Sequence, residues 1–150
     1  MNWINISNIA SILTIFGFVV TLATLIFLFY QCQILKSTLK IQSFQNLFTN
    51  IINIDMFFAN NPSITQYVYG KKDLPSDTES QEYLQVMSAC EMVLDHFLEA
   101  YGCKNIMNKD MWLGWQMYMK KTYKDSNSLR HYVQMNHDYF GEQFIEMLVR

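Results

Sequence analysis

Hydrophobic and polar positions divide this chain into two regimes. From Ile9 to Tyr30 no residue is charged and almost all are apolar, an unbroken run of 22 residues. At about 1.5 Å per residue, a helix of that length crosses a hydrocarbon core of about 30 Å. The run predicts one membrane-spanning helix over 9–30, within an N-terminal membrane segment 1–30. Beyond it, Ile34, Leu35, Leu39, Ile41, Phe44, Leu47, Phe48, Ile51, Ile52 and Ile54 recur at helical spacing, with no Gly or Pro up to Ala59. That predicts a stalk helix over 31–59 continuous with the span.

Residues 60–150 read as a compact helical domain. Asn61 is placed to cap a short helix that has Pro62 at its first position, runs over Ser63 to Tyr69, and ends at Gly70. Lys71 to Asp77, with Pro75, is a loop. Thr78 and Gln81 form a capping-box pattern ahead of a helix from Glu79 to about Tyr101. Its expected buried side is Leu84, Met87, Ala89, Cys90, Val93, Leu94, Phe97 and Leu98, and Gly102 ends it. Asn108 caps a fourth helix reaching about Tyr123, with Asp110 in its first turn. Ser126-Asn127-Ser128 restarts the chain, and a fifth helix runs from Leu129 to near residue 150, kinked at Gly141. With five Gly, two Pro and no long alternating run, the fold class is all-α.

Within the span, Ser7, Ala10, Thr14, Gly17, Thr21 and Thr24 recur at heptad spacing, and the register continues through Leu28, Gln31, Leu35 and Thr38. In lipid, small residues let helix backbones approach, and hydroxyls act as weak glue. A 3.5-residue repeat implies a left-handed bundle. The seam predicts a homo-oligomer, with either a packing face in a dimer or, more sharply, a bundle of several helices whose hydroxyls line a water path when it loosens.

The flanks argue against a cleaved signal, since nothing basic precedes the run and Phe29-Tyr30-Gln31-Cys32 offers no small-residue cleavage site. Lys36 and Lys40 follow the span, so the positive-inside tendency places the N-terminus outside and the larger domain in the cytoplasm, with those lysines beside anionic headgroups. Three cysteines, Cys32, Cys90 and Cys103, are odd in number and widely spaced, which fits reduced thiols.

The chain has no Gly-rich phosphate loop, recognisable Ser or Cys nucleophile, or HExxH, so no enzyme is expected. Glu91, Asp95, His96 and Glu99, with His131, His137 and Asp138, are the metal candidates. Val93 and Gln134 stand where a carboxylate-bridged bundle needs glutamates, so a solvated acidic face with a partly buried His96 is the preferred reading, and neither metal nor cofactor is expected. Charge is segregated. Asp77 to Glu99 holds six acids and no Lys or Arg, whereas Lys104 to His131 holds six basic residues against Asp110 and Asp125. The basic segment is interleaved with aromatics. Lys120, Lys121, Lys124, Arg130 and His131, with Trp112, Trp115 and Tyr118, are the expected ligand-binding residues, because cations attract phosphate and aromatic faces stack on bases. The amide donors at the start of the fifth helix would add to them. The competing reading makes Trp112 and Trp115 core residues and the lysines helix C-terminal charges. A formal net charge of −2 argues against long nucleic acid.

Asn61-Pro62, Tyr67-Val68-Tyr69, Glu91-Met92-Val93-Leu94-Asp95, Trp112-Leu113-Gly114-Trp115 and Tyr139-Phe140, following an N-terminal anchor, give an ordering that resembles the small single-pass membrane effectors of type III CRISPR antiviral defence. The resemblance is one of whole-chain architecture and carries over no binding residue. It implies a non-enzymatic protein of the bacterial inner membrane that binds cyclic tetra-adenylate as a homotetramer, with the ligand on the symmetry axis. The alternative is a membrane-tethered scaffold or adaptor with a helical protein-interaction domain.

Overall fold

In the computed structural model the backbone is described from Trp3 and side chains from Ser11 onward. All regular structure among the described residues is helical. The helices are α1 (Trp3–Asn60), α2 (Pro62–Val68), α3 (Gln81–Gly102), α4 (Lys109–Asp125), α5 (Asn127–Met135) and α6 (Glu142–Val149), with a 3₁₀ turn at His137–Tyr139. The chain divides into two units, Met1–Gln42 and Ser43–Arg150.

In the first unit α1 is unbroken, in keeping with the absence of Gly and Pro after Gly17. Every described side chain in it is exposed. This helix is long and apolar enough to cross a membrane, with a mean hydropathy of 2.6 over its most apolar stretch. Bare Phe16, Phe18, Phe27 and Phe29 suit hydrocarbon surroundings better than water. Of the predicted seam, the side chains of Ser7 and Ala10 lie outside the described residues. Thr21 Oγ1 donates to the Gly17 carbonyl and Thr24 Oγ1 to that of Val20, both at 2.8 Å. Both hydroxyls donate within their own helix, and each oxygen keeps lone pairs that can accept from a neighbour. What Thr21, Thr24 and Gly17 also offer a neighbour is small size. A Cβ added at Gly17 would meet nothing within 4 Å.

The second unit is built around α3. Val86, Ala89, Cys90, Val93, Leu94, Phe97 and Ala100 follow one helical face and are buried. They share a core with Leu47, Ile54 and Phe58 of α1, Ile64 and Val68 of α2, Met119 of α4, Leu129 and Val133 of α5, and Phe144 and Leu148 of α6. Burial pushes the Cys90 thiol up to about 12, so it behaves as a small apolar residue.

Several local expectations need correcting. Asn61 precedes α2, but its side chain makes no cap there. Its Nδ2 donates back to the Phe57 carbonyl at 2.8 Å and closes the end of α1. Helix α3 is capped by Ser80, whose Oγ accepts from the Tyr83 amide at 3.2 Å, and not by the Thr78–Gln81 box. Asp77 decides this: its Oδ1 accepts from the Glu79 amide and its carbonyl from Ser80 Oγ, a turn that brings Ser80 to the helix end. Leu84 is 57% exposed, because the buried face runs through Tyr83 and Val86 instead. The expected long fifth helix is two helices. At Asn136 the amide and Nδ2 both donate to the Tyr132 carbonyl and end α5; α6 begins after Gly141. Val133, Phe140, Phe144 and Leu148 keep a helical period across the break, which hides it in the sequence.

Candidate anion-binding cleft

Helix α4 sorts its side chains by face. Asn108 starts it, with Oδ1 accepting from the Met111 amide at 2.8 Å. Met119, Thr122 and Tyr123 turn inward. Met117, Lys120, Lys121 and Lys124, three or four residues apart, share another face. That face forms one wall of a cleft of about 1000 Å³, with Tyr118, Tyr123, Arg130, Leu148 and Val149 among the rest of its lining. Four of the sequence-predicted cations, Lys120, Lys121, Lys124 and Arg130, therefore come together, and Tyr118 joins them. Asp125 is the acid on the rim.

Arg130 has a second duty. Its Nη1 donates to the Tyr123 carbonyl at 3.3 Å and to the Lys124 carbonyl, and its Nη2 donates to Asn127 Oδ1. The guanidinium thus satisfies carbonyls that the end of α4 leaves open, and its charge sits at the negative end of that helix. Burial holds the Tyr123 phenol above its ordinary range, opposed by the Arg130 charge, so its hydroxyl remains a proton donor at neutral pH.

Three expected binding residues lie elsewhere. His131, one residue and about 100° round α5 from Arg130, faces α3, where its Nε2 is 3.2 Å from Tyr83 Oη. Trp112 packs against Tyr101 with ring centroids 6.0 Å apart. Trp115 packs edge-on against His96 at 5.3 Å and against Tyr118 at 6.0 Å. Both indoles are half-buried against the core, so the core reading of that pair holds. The start of α5 is also closed off. Ser126 and Ser128 are fully buried, Ser126 Oγ accepts from the Leu129 amide, and Ser128 Oγ donates to the Tyr67 carbonyl at 2.9 Å.

The cleft gains residues that the sequence reading left out. Met117 was accessible to it, being one turn before Lys121 on the same face. Leu148 and Val149 were not, since only the packing of α6 on α4 brings them there. Among the described residues no three His, Cys, Asp or Glu side chains are grouped to hold a metal ion. The arrangement offers several flexible ammonium groups, a fixed guanidinium and the exposed phenol ring of Tyr118 around an open volume, with Tyr123 largely buried at its edge, which is chemistry for holding an anion with an aromatic or apolar part. Comparison of the chain with known protein families, curated proteins and solved structures finds no match.

Proposed function

We propose that this chain is a membrane-anchored, non-enzymatic effector of antiviral defence. Its larger unit binds a cyclic oligoadenylate, cyclic tetra-adenylate above others, and binding perturbs or opens the membrane. The observation that carries the proposal is the cleft in which Lys120, Lys121 and Lys124 share one face of α4 with Tyr118 and Tyr123 close by. A cyclic oligonucleotide repeats a phosphate and a base at every step, so identical subunits round a symmetry axis would each offer it the same cations and rings. The resemblance in whole-chain ordering supplies the ligand's identity and favours a homotetramer in the bacterial inner membrane, N-terminus outside.

The coupling would be energetic. Ligand shifts the assembly only to the extent that it binds the membrane-active arrangement more tightly. Close packing of small side chains at Thr14, Gly17, Thr21 and Thr24 is the contact that this shift would loosen.

The test is dye release from liposomes carrying the full chain. Cyclic tetra-adenylate is expected to trigger release, and linear tetra-adenylate is not. Combined Lys120→Glu, Lys121→Glu and Lys124→Glu changes are expected to abolish the response. Absence of both release and binding with every cyclic oligoadenylate would remove the ligand from the proposal.

A second reading, a membrane-tethered scaffold, draws on exposed Leu113 and Met117 on α4, 51% and 64% exposed, which suit a protein partner. It predicts that the same charge reversals change no nucleotide response, there being none to change.

A further inference from the structure

A second pocket, of about 450 Å³, lies between α1 and α3 within the Ser43–Arg150 unit. Its acids, Glu91, Asp95 and Glu99, succeed one another at one helical turn, about 6 Å apart along α3. No Lys or Arg lines it. An acidic stripe alone is an ordinary solvated face. His96 sets this one apart. Its side chain is 4% exposed and lines the same pocket, and neither ring nitrogen has a hydrogen-bond partner. The Glu99 carboxylate comes to 3.8 Å of Nδ1, beyond hydrogen-bond length. That same oxygen accepts from Asn50 Nδ2 at 2.8 Å. Burial holds the imidazole below its ordinary range, opposed by the charges of Glu99 and Asp55, so at neutral pH one ring nitrogen has a free lone pair.

We infer that this pocket binds a linear polyamine, an alkyl chain whose ammonium groups are set apart by short methylene spacers. Glu99 Oε2 and His96 Nδ1 lie 3.8 Å apart, so one ammonium nitrogen seated between them has protons for both once the covered ring shifts to open Nδ1 and carries its own proton on Nε2. Glu99, with its side chain 35% exposed, is the point of entry. The next ammonium groups follow the stripe to Asp95 and Glu91, since a short methylene spacer spans about one helical turn. Ile54 and Met92 give the methylenes an apolar wall. Acids strung out at this spacing suit a string of cations better than a single metal ion, which needs its ligands around one point.

The test uses the full chain in detergent, without nucleotide, titrated with spermidine by calorimetry and by thermal shift. Saturable binding with a raised Tm is expected, at least tenfold weaker in Glu99→Gln and in the combined Glu91→Gln, Asp95→Asn variant. His96→Gln, which replaces the ring by an amide, is expected to weaken it several-fold while the variant keeps its cooperative melt. No saturable heat, an equal response to magnesium at matched ionic strength, or wild-type affinity in Glu99→Gln would each overturn the inference.

Discussion

Arg130 is where the structural and the ligand-binding accounts can be separated. Its guanidinium donates to the Tyr123 and Lys124 carbonyls at the end of α4 and to the exposed Asn127 side chain. A hydrogen bond from a charged donor contributes about 1.5–3 kcal/mol when dry. This side chain is only half-buried and the bond to Tyr123 is long at 3.3 Å, so about 1 kcal/mol for each carbonyl is the reasonable figure. Lysine can keep one of the two bonds and the charge at the helix end. Arg130→Lys is therefore expected to cost about 1 kcal/mol. Arg130→Met loses both bonds and the dipole interaction and is expected to cost about 2–3 kcal/mol. For a unit of this size, 1 kcal/mol moves Tm by about 4–8 °C. The assay is thermal unfolding of the full chain in detergent, followed by the fluorescence of Trp112 and Trp115, which are packed into this unit. If both variants melt with the wild type, the guanidinium does not close α4, and its place in the cleft needs another explanation.

Other consequences follow from the packing. A Cβ at Gly70 would stand 2.4 Å from the Gln66 carbonyl oxygen, which also accepts from the Lys72 amide, so Gly70→Ala is expected to cost about 2 kcal/mol in denaturant unfolding. Ser128→Ala removes the buried donor to the Tyr67 carbonyl and leaves it only Ser126 at 3.5 Å; a loss of about 1–2 kcal/mol is expected by the same measurement. His96 has a lowered pKa in the fold, so the unfolded chain takes up its proton first. The stability due to neutral His96 is full above about pH 6.5 and falls as the pH drops through that value toward the folded pKa. The Tm of the wild type is expected to decline on the acid side more steeply than that of His96→Gln, and parallel profiles would show that this ring is not what titrates.

How much the sequence disclosed depends on how local each signal was. The unbroken α1, the Asn108 cap and the restart at Ser126 are set by neighbouring residues, and all three are found. The start of α3 was misread because Thr78–Gln81 and Ser80 offer similar capping chemistry. The choice falls to a turn made by Asp77, which no periodicity reports. The break at Asn136 was hidden because the apolar period survives it. In the cleft, Lys120, Lys121, Lys124 and Arg130 were legible as a basic cluster, and helical spacing puts the three lysines on one face. Which way His131 points, and that both indoles pack into the core, depend on α3 and the distant helices around it, and spacing within one segment holds no record of them. The buried, unpartnered His96 lay in view among the acids, with only its exposure misjudged.

In the proposed function, three lysines on one face of α4 hold phosphate. The most direct test is the affinity of the full chain for cyclic tetra-adenylate as a function of salt. Each phosphate contact contributes about −0.7 to the slope of log K against log salt for a single strand. The claim predicts measurable binding with a steep negative slope. Lys121→Ala should weaken binding and reduce the slope by about 0.7 for each subunit engaged. Binding whose strength and salt slope persist when Lys120, Lys121 and Lys124 are all alanine would contradict it.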